Sequence, residues 1–236
     1  MQDGQGFIEA RRRVEARIAA AASRRGASGG AVEIVAITKS VAPAHIAEAA
    51  RAGFRTLGEN RVQERQFKAA ELASVGAVWH LVGPLQSNKA RRAVELFDVI
   101  ETVDSLALAQ RLDRIAGELQ PASPLRVLLQ ANVDNDPAKA GFELPDLERD
   151  LGAILGLPNL AVDGLMTVGR QVGSPEEARP TFAALRSLSV RLRERDPRLG
   201  RELSMGMSED YEVAVEEGAT IVRIGRAIFG DRPHAR

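Results

Sequence analysis

Val32-Glu33-Ile34-Val35-Ala36-Ile37-Thr38-Lys39 is an apolar, β-branched run that ends on a lysine. A run of this kind reads as a strand buried on both faces, as in a parallel sheet. Lysine is seldom placed deep unless its charge is paired or its amine is used. Lys39 is therefore either a strand cap reaching water or a chemical handle. Taken alone the cap is the default reading, because lysines are mostly exposed.

Outward from this run, helix and strand patterns alternate along the chain. A helical pattern over 6–26 puts Phe7, Val14 and Ile18 on one side, and Gly26-Ala27-Ser28-Gly29-Gly30 ends it. After the strand over 32–38, Pro43 opens a helix that reaches Arg51. Further strands are expected over 54–57, 78–82, 98–102, 125–132, 160–166, 202–204 and 220–224. Helices are expected over 61–74, 87–96, from the Asp104-Ser105 cap to 118, 144–155, 174–194 and 208–217, the last capped by Ser208. Asp134–Gly141 is rich in turn formers and reads as a mobile βα loop. Eight strands alternating with helices imply a parallel sheet with right-handed crossovers. That count favours a single α/β domain over 1–236, a (β/α)8 TIM-type barrel with an extra N-terminal helix. No Gly-x-Gly-x-x-Gly follows the first strand, which counts against a dinucleotide-binding fold.

Composition excludes several classes of function. Of the 236 residues 44% are hydrophobic, and 32 Lys and Arg balance 32 Asp and Glu, so no net field points to nucleic acid or membrane. Cysteine is absent, which removes disulfides, thiolate metal sites and a thiol nucleophile. His45, His80 and His234 have no metal-ligand spacing. There is no signal-peptide pattern and no apolar run of transmembrane length, so a soluble cytoplasmic protein is expected; a monomer is a separate expectation.

In a (β/α)8 barrel the site lies where the C-terminal strand ends meet the βα loops. Those ends carry Thr38-Lys39, Gly58-Glu59-Asn60, His80-Leu81-Val82-Gly83, Met166-Thr167, Ser204-Met205-Gly206-Met207-Ser208 and Arg223-Ile224-Gly225-Arg226. Loops after strands seven and eight often bind phosphate on backbone N–H groups, and Ser204 adds a hydroxyl. A lysine at the first strand end opposite an anion site suggests a phosphorylated aldehyde held as a Schiff base. Pyridoxal 5'-phosphate is the common cofactor of that description. A lysine aldolase acting on a sugar phosphate is the alternative.

The same blocks carry a family resemblance. Val35–Lys39, Gly58–Glu64, Trp79–Lys89, Gly164–Met166, Leu203–Ser208 and Val222–Gly230 span residues 32–230 in one order. In these blocks the chain resembles the pyridoxal phosphate homeostasis protein family, whose barrel is like the alanine racemase N-terminal domain, of fold type III. The resemblance implies a pyridoxal phosphate-binding protein of vitamin B6 and amino-acid homeostasis without established catalysis. It makes Lys39 the aldimine lysine. Ser204, with Met205 beside it and the backbone at Gly225-Arg226, becomes the phosphate site. Arg223 becomes the residue facing the pyridine nitrogen, and Asn60, His80 and Met166 pocket walls. The departures are Arg61 in place of an aromatic, Leu81 in place of a frequent Phe, and Ser40 in place of a frequent Thr.

An arginine at the ring nitrogen donates only and stays charged, so it would leave that nitrogen unprotonated and the ring a poorer electron sink. Racemases of this fold also use a tyrosine base with a second domain. The only tyrosine here is Tyr211, whose default is helix packing. These points favour a reversible carrier that releases cofactor to an incoming amine, including a lysine of an apo-enzyme. A weak racemase, with His80 as a single base, is the alternative. The loop around Lys139 offers a second amine.

Overall fold

The computed structural model describes residues 4–25, 31–119, 122–169 and 172–230. The expected helix end at 26–30 and His234 lie outside the described residues. The strands are β1 (Glu33–Ile37), β2 (Thr56–Glu59), β3 (Val78–Leu81), β4 (Val99–Val103), β5 (Leu125–Gln130), β6 (Leu160–Met166), β7 (Glu202–Met207) and β8 (Ile221–Ile224). They pair in sequence order, all parallel, and β1 closes on β8 with Val35 level with Arg223. The architecture is the expected (β/α)8 barrel.

Around it lie α1 (Gly4–Arg25), α2 (Pro43–Arg51), α3 (Val62–Lys68), α4 (Ala90–Leu96), α5 (Leu106–Leu119), α6 (Leu144–Leu155), α7 (Arg179–Arg195), α8 (Tyr211–Glu216) and α9 (Arg226–Phe229). The extra helix α1 buries Phe7, Ala10, Val14, Ile18 and Ala21, a stripe at helical spacing. Phe7 meets the Phe229 ring edge-on with centroids 5.7 Å apart. Among the described residues no helix is long and apolar enough to cross a membrane.

Strand alternation divides the core into two layers. Ala36, Leu57, Leu81, Ile100, Leu129, Leu165 and Ile224 face outward and pack with the helices. Val35, Val82, Leu128, Met166 and Ile221 face inward, with Ile37 and Val168 against them. This parity separates neighbours near the strand ends and so determines which of them share the barrel interior.

Several expected boundaries move. β2 starts at Thr56 rather than 54, because the chain is still closing α2. Gly53 lies at φ +102°, and the Gly53 and Phe54 N–H groups bond back to Ala50 and Ala49 carbonyls. Helix α3 ends at Lys68, and residues 69–74 continue as turns. Ser208 is not a helix cap: its hydroxyl accepts the Gly225 N–H at 3.2 Å, and Asp210 instead accepts the Met207 N–H at 2.6 Å. Ser105 does cap α5, accepting the Leu108 N–H at 3.3 Å.

Gly83, just past β3, sets the position of the β2 end. A Cβ there would stand 2.1 Å from the Asn60 carbonyl oxygen, so only glycine lets the two backbones meet. Gly83→Ala is expected to destabilise the protein by about 2 kcal/mol, as overpacking of a close contact does. Urea denaturation of the two proteins checks this; equal midpoints would show that the backbone yields freely.

Candidate active site at the barrel mouth

Lys39 lies in the turn after β1, on the same parity as the inward Val35 and Ile37. Its neighbours are clamped. Thr38, fully buried, faces outward and places its hydroxyl 2.6 Å from Glu59 Oε1. Lys68 of α3 donates to the Thr38 carbonyl at 2.8 Å and to the same Glu59 oxygen at 2.6 Å. On the other side Ser40, in the left-handed region at φ +61°, donates its N–H to Glu64 Oε2 at 3.2 Å. Burial pushes the Glu59 carboxyl above its ordinary value of 4.5, while Lys68 and Thr38 pull it back. The turn is thus fixed from both sides, and the Lys39 amine has no hydrogen-bond or ion-pair partner among the described residues.

Inside the barrel a second polar network spans four strands. Glu101 of β4 is fully buried. Its Oε1 lies 2.6 Å from His80 Nδ1 of β3, and its Oε2 accepts the Ser204 hydroxyl of β7 at 2.5 Å. Ser204 in turn accepts from Arg223 Nη1 of β8 at 2.6 Å, and Arg223 Nη2 donates to the Thr167 carbonyl at 2.7 Å. Burial works to raise the Glu101 carboxyl, but the His80 ring, Arg223 and Ser204 bring it below the ordinary 4.5. Burial likewise lowers Arg223 from its ordinary value, opposed by the Glu101 and Asp210 charges. His80 Nε2 is buried and has no partner.

The sequence-derived candidates sort by this geometry. His80, Met166, Ser204 and Arg223 share the inward face, while Lys39 in the turn after β1 and half-buried Asn60 after β2 stand at the mouth. Met205 departs from expectation: it turns outward by strand parity and packs in the helix layer, which takes its side chain away from the interior. Ser204 is inward, with its hydroxyl committed to Glu101 and Arg223 rather than offered at the mouth. The exposed Arg226 guanidinium pairs with Glu209 at 2.6 Å, and the Gly225 N–H donates to the Ser208 hydroxyl at 3.2 Å. Gly206 supports this edge, since its φ of +89° and a would-be Cβ 2.5 Å from Ala214 Cβ both demand glycine. The Asp134–Gly141 segment is hydrogen-bonded, with Asn132 bracing Asp136 and Gln130 holding the Ala140 carbonyl. Lys139 is engaged by Asp134 at 3.0 Å and the Val168 carbonyl at 3.1 Å.

Glu101, Lys68 and the role of Glu59 are absent from the sequence reading. The available signal for Glu101 was an acid at an inward position of the otherwise β-type run Val99-Ile100-Glu101-Thr102-Val103.

Residues 12–233 match the alanine racemase N-terminal domain family. The chain is 42% identical over 225 residues to the pyridoxal phosphate homeostasis protein of Pseudomonas aeruginosa, covering 94% of each. The Escherichia coli K12 protein of the same name is 40% identical over 233 residues, covering 94% of this chain and 95% of that one. The chain belongs to the pyridoxal phosphate homeostasis protein family. Among solved structures, PipY of Synechococcus elongatus PCC7942 with PLP bound is 43% identical with a TM-score of 0.80, covering 89% of this chain and 100% of that one. An alanine racemase of Clostridium difficile, 14% identical with a TM-score of 0.69, covers 92% of this chain and 59% of that one and shares the barrel fold.

Glu101→Gln leaves Arg223 buried without its countercharge and is expected to cost about 3 kcal/mol at neutral pH. Because the folded Glu101 carboxyl lies below its ordinary 4.5, its stabilisation is present above that pH and is lost as pH falls through the lower, folded value. The gap in unfolding free energy between wild type and Glu101→Gln is therefore expected to narrow below pH 4.5. Denaturation curves across that range check the sign; a gap that widens in acid contradicts it.

Proposed function

We propose that this protein holds pyridoxal 5'-phosphate at Lys39 and acts in vitamin B6 and amino-acid homeostasis as a carrier. The observation that carries the reading is the unpartnered Lys39 amine in the turn that ends β1, the strand paired with β8 and its Arg223, a buried guanidinium fixed by Ser204 and the Thr167 carbonyl. Membership of the family and the 43% identity to PipY, solved with PLP bound, support the same cofactor. The donor set fits it: an amine for an aldehyde, backbone N–H groups and the Ser208 hydroxyl at the β7 and β8 ends for a phosphate, and a donor-only cation for the ring. His80 Nε2, buried and unpaired, gives the interior a polar atom that a bound ligand can satisfy. The cofactor supplies an aldehyde for covalent capture by amines and a ring that draws electrons from a bound amino acid.

The protein's own residues favour holding over turnover. Arg223 cannot accept a proton, and as a fixed cation beside a bound ring it would leave the ring nitrogen unprotonated. Tyr211 is buried in the helix layer, with the Arg17 guanidinium 5.9 Å from its ring centroid, on the side facing α1 rather than the interior. In this reading Lys39 takes the aldehyde, and an entering amine, including a lysine of an apo-enzyme, removes it by exchange. The protein works as a cytoplasmic monomer, without nucleic acid or membrane partners. A weak racemase is the second reading, favoured by the unpaired His80 Nε2 as a single base.

Borohydride reduction of the loaded protein followed by peptide mass mapping is expected to place the pyridoxyl phosphate adduct on the Lys39 peptide. An adduct elsewhere, or none, sinks the assignment. Cofactor transfer to an apo-enzyme is expected to outpace spontaneous release into buffer; equal rates would reduce the role to storage. Rapid loss of Cα deuterium from labelled amino acids would favour the racemase.

A further inference from the structure

The hydrogen bonds around Glu101 have a single consistent direction. An ionised carboxylate accepts and cannot donate. Ser204 accepts from Arg223 Nη1, so its one proton goes to Glu101 Oε2. His80 Nδ1, 2.6 Å from Oε1, must then carry the hydrogen of that contact. The cluster also contains the Arg223 cation, whose Nη1 stands 4.0 Å from Glu101. Glu101 and Arg223 cancel, so a neutral His80 leaves the buried group uncharged, whereas an imidazolium would add an unbalanced charge. Neutral His80 with hydrogen on Nδ1 presents a lone pair at Nε2, and that atom is buried without a partner. Strand register places His80 level with the end of β1, two residues before Lys39. Ile37 is level with Gly58, and Gly58 with His80. β1 ends at Ile37, and Lys39 follows it by two residues in the turn.

We propose that Glu101 is a positioning residue that fixes His80 as the Nδ1–H tautomer, so that Nε2 accepts a proton from an amine entering the barrel mouth. This rests on the assignment of Lys39 as the covalent anchor. An amine at neutral pH is an ammonium, with no lone pair for attack. Transfer of one N–H proton to His80 Nε2 frees the pair, the entering nitrogen bonds to the captured carbon as that carbon's bond to the Lys39 nitrogen breaks, and the three N–H protons of the entering ammonium end on the departing Lys39 amine, one of them by way of His80. Glu101 on the neighbouring β4, and Ser204 on β7 and Arg223 on β8 across the barrel interior, are the groups that face His80 or its partner carboxylate.

The tautomer can be read without cofactor. Two-bond 1H–15N spectra of the cofactor-free protein hold few signals, because the sequence has three histidines. The His80 Nδ1 resonance is expected at the protonated position and Nε2 at the unprotonated one at neutral pH. Glu101→Gln is expected to shift His80 toward the other tautomer and Glu101→Asp to retain the native one. Protonated Nε2 in the wild type overturns the proposal. In loaded protein, His80→Gln is expected to slow exchange with added amine about 100-fold, in the range of a lost proton acceptor. It should leave the Lys39 adduct in place after borohydride. An unchanged exchange rate overturns the proposal, whereas loss of the adduct in wild type refutes the Lys39 assignment instead.

Discussion

One fully buried carboxylate organises the interior of this barrel. Removing Glu101 from water is costly, and the structure offsets that cost by giving both of its oxygens a donor and placing Arg223 4.0 Å away. The offset works in both directions. Arg223 is itself fully enclosed, and its orientation depends on Ser204, which depends on Glu101. Four strands are tied into one polar layer, so the groups that would meet a ligand are fixed before it arrives. Preorganisation of this kind removes reorganisation from the moment of binding.

The outer face of the sheet holds the complementary device. Thr38 and Lys39 are adjacent in sequence and opposite in parity, so one clamp can grip the backbone while the amine stays unpartnered. Lys68 and Glu59 form a buried ion pair on the helix side, and its hydrogen bonds end on Thr38 rather than on Lys39. The left-handed Ser40 and its bond to Glu64 secure the other end of the turn. Such strain persists only where surroundings over-determine it, and here they surround the proposed anchor.

Together the two layers argue for capture over catalysis. The guanidinium is held where it can donate and cannot take up a proton, and the lone tyrosine is used to seat α1 on α8. What the interior does offer is one histidine whose partner is a carboxylate, an arrangement suited to moving a proton between amines. Exchange of an aldehyde between amines needs that and little more.

The sequence by itself determined the barrel, since β-type runs, helical stripes and turn residues are local signals that repeat along the chain. It also placed Lys39 at the end of the first strand and pointed to Arg223 and His80, because strand ends in such a barrel converge. It did not reveal Glu101, whose partner Ser204 is 103 residues away and whose acid lies inside an ordinary strand pattern. Nor did it separate Ser204 from Met205, neighbours that only the direction of each side chain across the closed sheet assigns to the interior and to the helix layer. Ser208 likewise carries the chemistry of a helix cap, and only closure of β7 on β8 brings the Gly225 N–H to it. Periodicity is written locally, whereas inward parity and long-range polar partners exist only once the barrel has closed.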